Sequence, residues 1–235
     1  VRHSAINLFW RLFSGPLLLL LVPVYLSAEV QGYWYTFISL AVLAVFADMG
    51  FSSILLLFSS HEFAHLTLNP DKPLAGRPEH LSRLATLGKF AMKWSSTMAM
   101  VVFPVVLVAG HFFLGSKGSN INWQLPWLIY GAASILVFLN SMLLLFIECC
   151  DSVGDVQKIR FYISLTTVVA TALLLVNGEG LYALSIALLA GALVGLLLIS
   201  FRYQKMLTQL CELGKNNSHS WAASIMPLMS RFSVS

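Results

Sequence analysis

Residues 125–147 read L-P-W-L-I-Y-G-A-A-S-I-L-V-F-L-N-S-M-L-L-L-F-I, with no charged side chain anywhere in the run. As a helix rising 1.5 Å per residue this stretch is roughly 35 Å long, enough to cross a hydrocarbon layer of about 30 Å. In lipid a helix is the natural form for it, because every backbone N–H and C=O must then be satisfied within the segment.

Comparable apolar runs lie on both sides. The pattern predicts an all-α integral membrane protein, a bundle of six transmembrane helices over residues 5–26, 32–58, 95–114, 125–147, 161–176 and 181–201. Composition agrees: 58% of the residues are hydrophobic and only 10% charged, with a mean hydropathy of +0.80. A soluble domain carries about 25% charged residues to dress its surface. Gly15, Pro16 and Pro23 predict a bend in the first span, and Pro104 one in the third. Tyr33, Trp34 and Tyr35 read as an aromatic anchor at the outer end of the second span, and Trp123 and Trp127 mark the outer edge of the fourth. Residues 79–94 repeat leucine and phenylalanine at helical spacing between basic positions, as an amphipathic approach lying in the interface does. Gly191 and Gly195, four apart, offer a small-residue face for close helix contact. Residues 202–220 form a polar cytoplasmic linker, and residues 221–235 begin a seventh helix, truncated.

Charge orients the chain. With the N-terminus inside, all but Lys117 of the 14 basic residues fall on or near the cytoplasmic side. The pI near 9.1 is thereby explained by topology, without nucleic acid as a partner. The sequon Asn216-Asn217-Ser218 falls inside and stays unmodified. Residues 26–28 only loosely resemble a signal-peptide cleavage site, and the first apolar run is long for a leader. The three cysteines, Cys149, Cys150 and Cys211, have neither disulfide-framework nor metal-ligand spacing. Acylation of the adjacent pair is one reading and small apolar filling the other. No Gly-rich phosphate loop, repeated Asp pattern or nucleophile–base pair is present. The expectation is therefore a protein that is not an enzyme and holds no cofactor or metal.

Three short segments carry a resemblance. Leu26, Glu29 and Gly32 sit in Y-L-S-A-E-V-Q-G-Y-W-Y (25–35); Ala47-Asp48-Met49-Gly50-Phe51 forms the second; W-A-A-S-I-M-P (221–227), followed by Arg231, Ser233 and Ser235, the third. In this order, on a six-helix frame, they resemble the polysaccharide-transporter branch of the multidrug/oligosaccharidyl-lipid/polysaccharide exporter superfamily, and most of all bacterial O-antigen-type flippases. Two departures stand out. The family often has an acidic-glycine pair after helix four, where this chain has Glu148-Cys149-Cys150. The family also has twelve or more helices, so the chain resembles one N-terminal lobe. The resemblance implies translocation of a polyprenyl-diphosphate-linked oligosaccharide across a bacterial cytoplasmic (inner) membrane. The implied partners are the bilayer, that substrate, a C-terminal lobe and polysaccharide polymerase machinery.

Three residues are candidates for binding substrate or ion. Asp48 lies roughly 15 Å into the second span at helical rise, too deep for its short side chain to reach water. There an acid costs about 2.5–3.5 kcal/mol on insertion scales and so must face a partner or a wet cavity. It is either a cavity-lining acid or a structural group at a local break marked by Gly50. Arg11, roughly 9 Å into the first span, either clamps a diphosphate in fork geometry or snorkels to the interface; it also has the reach to pair with Asp48. Glu148 closes the fourth span and either binds or simply pairs with Lys158 or Arg160. Trp10, Trp34 and Tyr35 read as sugar-stacking or headgroup anchors, and His111 as a proton relay or an interfacial residue. Three rival functions remain. A cation-coupled multidrug antiporter would want more buried acids. A polysaccharide transferase or polymerase would want a large exterior loop. A non-transporting membrane protein of polysaccharide assembly wants neither.

Overall fold

The uncharged run forms α5 (Gln124–Cys149) in a computed structural model. The model describes residues 2–43, 48, 50–67, 74–118, 120–150, 153–216, 221 and 225, without the side chains of 2–6, 8, 11, 215 and 216. Before α5 come α1 (Arg2–Tyr25), α2 (Ala28–Val42), α3 (Phe51–Phe63) and α4 (Pro78–Gly115); after it come α6 (Val153–Val176) and α7 (Leu181–Asn216). A two-residue antiparallel ladder, β1 (Leu66–Thr67) with β2 (Ala75–Gly76), joins α3 to α4. Four helices, α4 to α7, are long and apolar enough to cross a membrane, and the chain is a multi-pass, all-helical membrane protein. Large apolar side chains stand exposed on these helices and on α1, among them Phe9, Leu20, Met100, Phe112 and Phe201. Lipid is the solvent that makes such a surface stable.

The six expected spans correspond only in part to these helices. Of α1, Leu12–Tyr25 is a shorter apolar helix by its described side chains, and the helix runs unbroken through Pro16 and Pro23. The expected second span is divided. α2 ends at Val42, and α3 starts at Phe51 behind Gly50, whose φ of 75° is left-handed. Glycine takes that conformation without the Cβ clash other residues meet. The amphipathic stretch 79–94 is no separate interfacial helix. It is the first part of the 38-residue α4 and buries Leu84, Ala85, Leu87 and Ala91 in the bundle. Pro78 starts that helix, where its missing N–H costs nothing. The expected linker after residue 201 is helical as far as Asn216, bending at Tyr203 (φ −116°, ψ 16°).

Among the described residues two large cores are stacked along the bundle, with a small cluster around Ala99 and Phe103 besides. The first, around α2, gathers Tyr33, Trp34, Phe37, Leu114, Trp123, Trp127, Leu175 and Leu181. Tyr33 and Trp34 are therefore 2% and 3% exposed core residues, and of the expected aromatic anchor only Tyr35 faces outward. The second, around α3, gathers Phe51, Leu55, Leu84, Ile147, Val156, Tyr203 and Trp221. Arg77, Arg83, Lys89, Lys93, Lys158, Arg160, Arg202 and Lys205 lie toward this second end. Lys117 sits at the other, donating to Thr36 Oγ1 at 3.0 Å and lying over the Tyr33 ring. α7 runs through both cores against α5 and α6. A Cβ at Gly191 would collide with Thr167 Oγ1, and one at Gly195 would lie 2.7 Å from Ile163 Cδ1 and 3.0 Å from Asn140 Nδ2. The small-residue face is thus a true close contact.

Candidate functional site

Between the two cores, where α2 gives way to α3, lies a cavity of about 380 Å³. Asp48 lines it together with Ser52, Tyr130, Ser134, Ser141, Phe103 and Phe138. Asp48 is held tightly. Its Oδ1 accepts from the Ser52 backbone N–H at 3.0 Å and from the Ser52 hydroxyl at 2.7 Å, while its own carbonyl accepts from Phe51 N–H at 2.7 Å. The carboxylate thus caps the first turn of α3, where unpaired N–H groups and the positive end of the helix dipole favour an anion. Both readings of Asp48 meet in this geometry: it supports a helix break, and it borders a cavity.

The serine hydroxyls around it are already committed as donors. Ser134 donates to the Tyr130 carbonyl at 2.8 Å, Ser141 to the Phe138 carbonyl at 2.7 Å, and Ser52 to Asp48. A serine hydroxyl has one proton to give, so what these groups still offer are oxygen lone pairs. With the carboxylate, these serines make most of the polar wall a set of acceptors, and the Tyr130 hydroxyl adds one donor. It suits a cation, or a ligand rich in hydroxyl donors, better than it suits a phosphate.

Arg11 lies on α1, but its side chain is outside the described residues, and so is its pairing with Asp48. α1 itself packs on α6. Asn7 Nδ2 donates to Gln157 Oε1 at 2.8 Å, Trp10 Nε1 donates to Ser164 Oγ at 3.0 Å, and the Trp10 ring meets Phe161 edge-on. Trp10 is therefore occupied as a packing residue. Glu148 stands away from the cavity. It accepts from Arg160 at 2.7 Å and from Gln157 Nε2 at 3.4 Å. Lys158 instead pairs with Asp155 at 2.8 Å. His111 is exposed, its ring 5.1 Å from that of Trp123. Cys149 and Cys150 are buried and Cys211 is exposed. Among the described residues no group of histidine, cysteine or acidic side chains is placed to hold a metal ion.

One polar cluster escaped the sequence. Glu62, its side chain 5% exposed, lies 2.7 Å from His80 Nδ1 and 3.9 Å from Arg83. His65 stacks on His80 with ring centres 4.1 Å apart. A carboxylate only accepts, so the shared proton belongs on His80 Nδ1. These residues sit in the longest polar stretch of the chain, where an acid beside histidines reads as solvated. The burial comes from the ladder folding back and from Gln209, which clamps the Leu74 backbone, accepting from its N–H at 2.6 Å and donating to its carbonyl at 3.1 Å.

No protein-family model matches the chain, and neither a curated protein nor a solved structure matches it.

Proposed function

We propose that the chain forms one lobe of a flippase that moves a polyprenyl-diphosphate-linked oligosaccharide across a bacterial cytoplasmic membrane for surface polysaccharide assembly. The supporting observation is the open cavity at Asp48: a carboxylate and three serine oxygens gathered midway along an otherwise apolar bundle. An acid at that depth is costly unless it borders water or a partner. In this reading the chain crosses the bilayer six times, α1 and the α2–α3 pair adding two crossings to the four long helices, with the basic end in the cytoplasm. The lobe rocks against a second one so that the space between them opens to each side in turn. Asp48 and its serines hold a coupling cation or sugar hydroxyls. The diphosphate falls to Arg11, whose guanidinium can bind two of its oxygens at once. The polyprenyl tail stays in lipid.

A second reading, the cation-coupled drug antiporter, is favoured by the aromatic share of the same wall, since Phe103, Tyr130 and Phe138 suit an apolar cation. A deletion strain separates the two. The flippase reading expects loss of surface polysaccharide, with lipid-linked units building up on the cytoplasmic leaflet. Intact polysaccharide together with raised drug sensitivity would replace it with the antiporter.

A further inference from the structure

At the end of the bundle remote from the basic cluster, the chain enters α5 through Asn120-Ile121-Asn122-Trp123-Gln124. The turn into the helix, with Trp123 N–H donating back to the Ile121 carbonyl at 3.0 Å, sorts this segment by face. Trp123 is buried in the core around α2 and Ile121 packs against it. Asn120, Asn122 and Gln124 are all exposed. The three amides line a cavity of about 410 Å³, with the half-buried Tyr182 of α7 as its aromatic side chain and the buried Trp123 behind them. That volume lies within the roughly 300–1,000 Å³ of small-molecule sites.

We propose that this cavity binds a neutral saccharide. Each amide carries two donors and a carbonyl acceptor, the set that matches sugar hydroxyls, which both give and take a proton. Among the described residues the three amides and the Tyr182 hydroxyl make no hydrogen bond to protein, so their capacity is free for a ligand. The Tyr182 ring beside the amides can meet the apolar C–H face of a pyranose while the amides meet its rim. Among the described residues no charged side chain lines the cavity, which disfavours a phosphate or sugar acid. The walls are pre-set. The buried Ser185 hydroxyl of α7 donates to the Pro126 carbonyl of α5 at 2.7 Å, tying together the two helix starts that carry Tyr182 and Gln124. The part of the wall formed by Tyr182 and Gln124 therefore needs little ordering by a ligand. The proposal rests on the flippase reading for its choice of ligand and extends it: the sugar head, once delivered, is received at the far end of the lobe.

The test is saturation-transfer NMR on the full chain in lipid nanodiscs, with diacetylchitobiose and cellobiose as separate probes. Transfer to at least one probe is expected. It should fall at least fivefold in the Asn122→Ala/Gln124→Ala double variant and persist in Thr208→Ala at the other end of α7. Both amides are exposed, so thermal unfolding of the double variant should match that of the parent. No transfer to either probe, equal transfer in parent and double variant, or displacement by equimolar inorganic phosphate would each overturn the proposal. Because no transport is measured, binding here with intact polysaccharide in the deletion strain would leave this pocket standing and remove only the flippase.

Discussion

Asn140 of α5 donates its Nδ2–H to the Ala192 carbonyl of α7 at 2.7 Å, and both residues are buried. Gly195, one turn along, leaves room for the Asn140 side chain. An amide in an apolar helix thereby becomes an interhelical tie. Such ties average roughly 0.6 kcal/mol and reach about 1.7 in membrane helices. Asn140→Leu is expected to lower stability by about 1 kcal/mol. Gly191→Val should cost more, about 1–3 kcal/mol, because its side chain must displace Thr167 against backbone. Thermal unfolding in detergent, monitored by helix content, ranks the two. An unshifted Gly191→Val would show that α6 and α7 are not in close contact.

Asp48 separates into a cap and a charge. Asp48→Asn keeps an oxygen for the Ser52 N–H; Asp48→Ala keeps nothing. A cap of this kind is worth about 1 kcal/mol. On the flippase reading, Asp48→Ala is expected to lose that stability and all polysaccharide-restoring activity in a deletion strain. Asp48→Asn should stay close to parental stability while activity still falls at least tenfold. If Asp48→Asn complements fully, the carboxylate is a helix cap and nothing more.

The Glu62–His80 pair predicts coupling. Removing a buried charged acceptor from its donor costs about 2 kcal/mol. Glu62→Ala and His80→Ala should each destabilise, and the double variant should fall short of their sum by about 1 kcal/mol or more. A double-mutant cycle on unfolding midpoints measures it, and strict additivity would show that the contact contributes nothing.

The cysteines offer a test of sidedness. Cys211 is exposed near the basic end, while Cys149 and Cys150 are buried. In folded membranes a bulky maleimide should label Cys211 alone. With a membrane-impermeant reagent, labelling should occur in inside-out vesicles and be absent in right-side-out ones. The reverse would invert the topology proposed from the basic residues.

Much of the helical frame was legible because apolar length is a one-dimensional property. The run at 125–147 needs no partner to be read, and α5 extends only one residue before it and two beyond. Asp48 and Gly50 also announced themselves, an acid and a glycine being conspicuous in lipid-length runs. What lay hidden depended on the third dimension. α4 and α7 continue past their apolar portions as one pair of packed helices, held where Lys89 Nζ donates to the Gly214 carbonyl at 3.0 Å. The first part of α4 reads as an interfacial helix and the last part of α7 as linker because the burial of each comes from the other. Tyr33 and Trp34 read as interface anchors for the same reason: only contact with Trp123 and Trp127 makes them interior. Glu148 was legible as a terminal acid, and its choice of Arg160 over Lys158 follows from which side chain α6 turns toward it.

The division between α2 and α3 has a mechanical consequence. Each half is fastened to a different core, α2 to the aromatic one and α3 to the one beneath it, and the joint carries a glycine. The acid that holds the start of α3 also borders the hollow, so a group bound there would touch the residue on which the first turn of α3 depends.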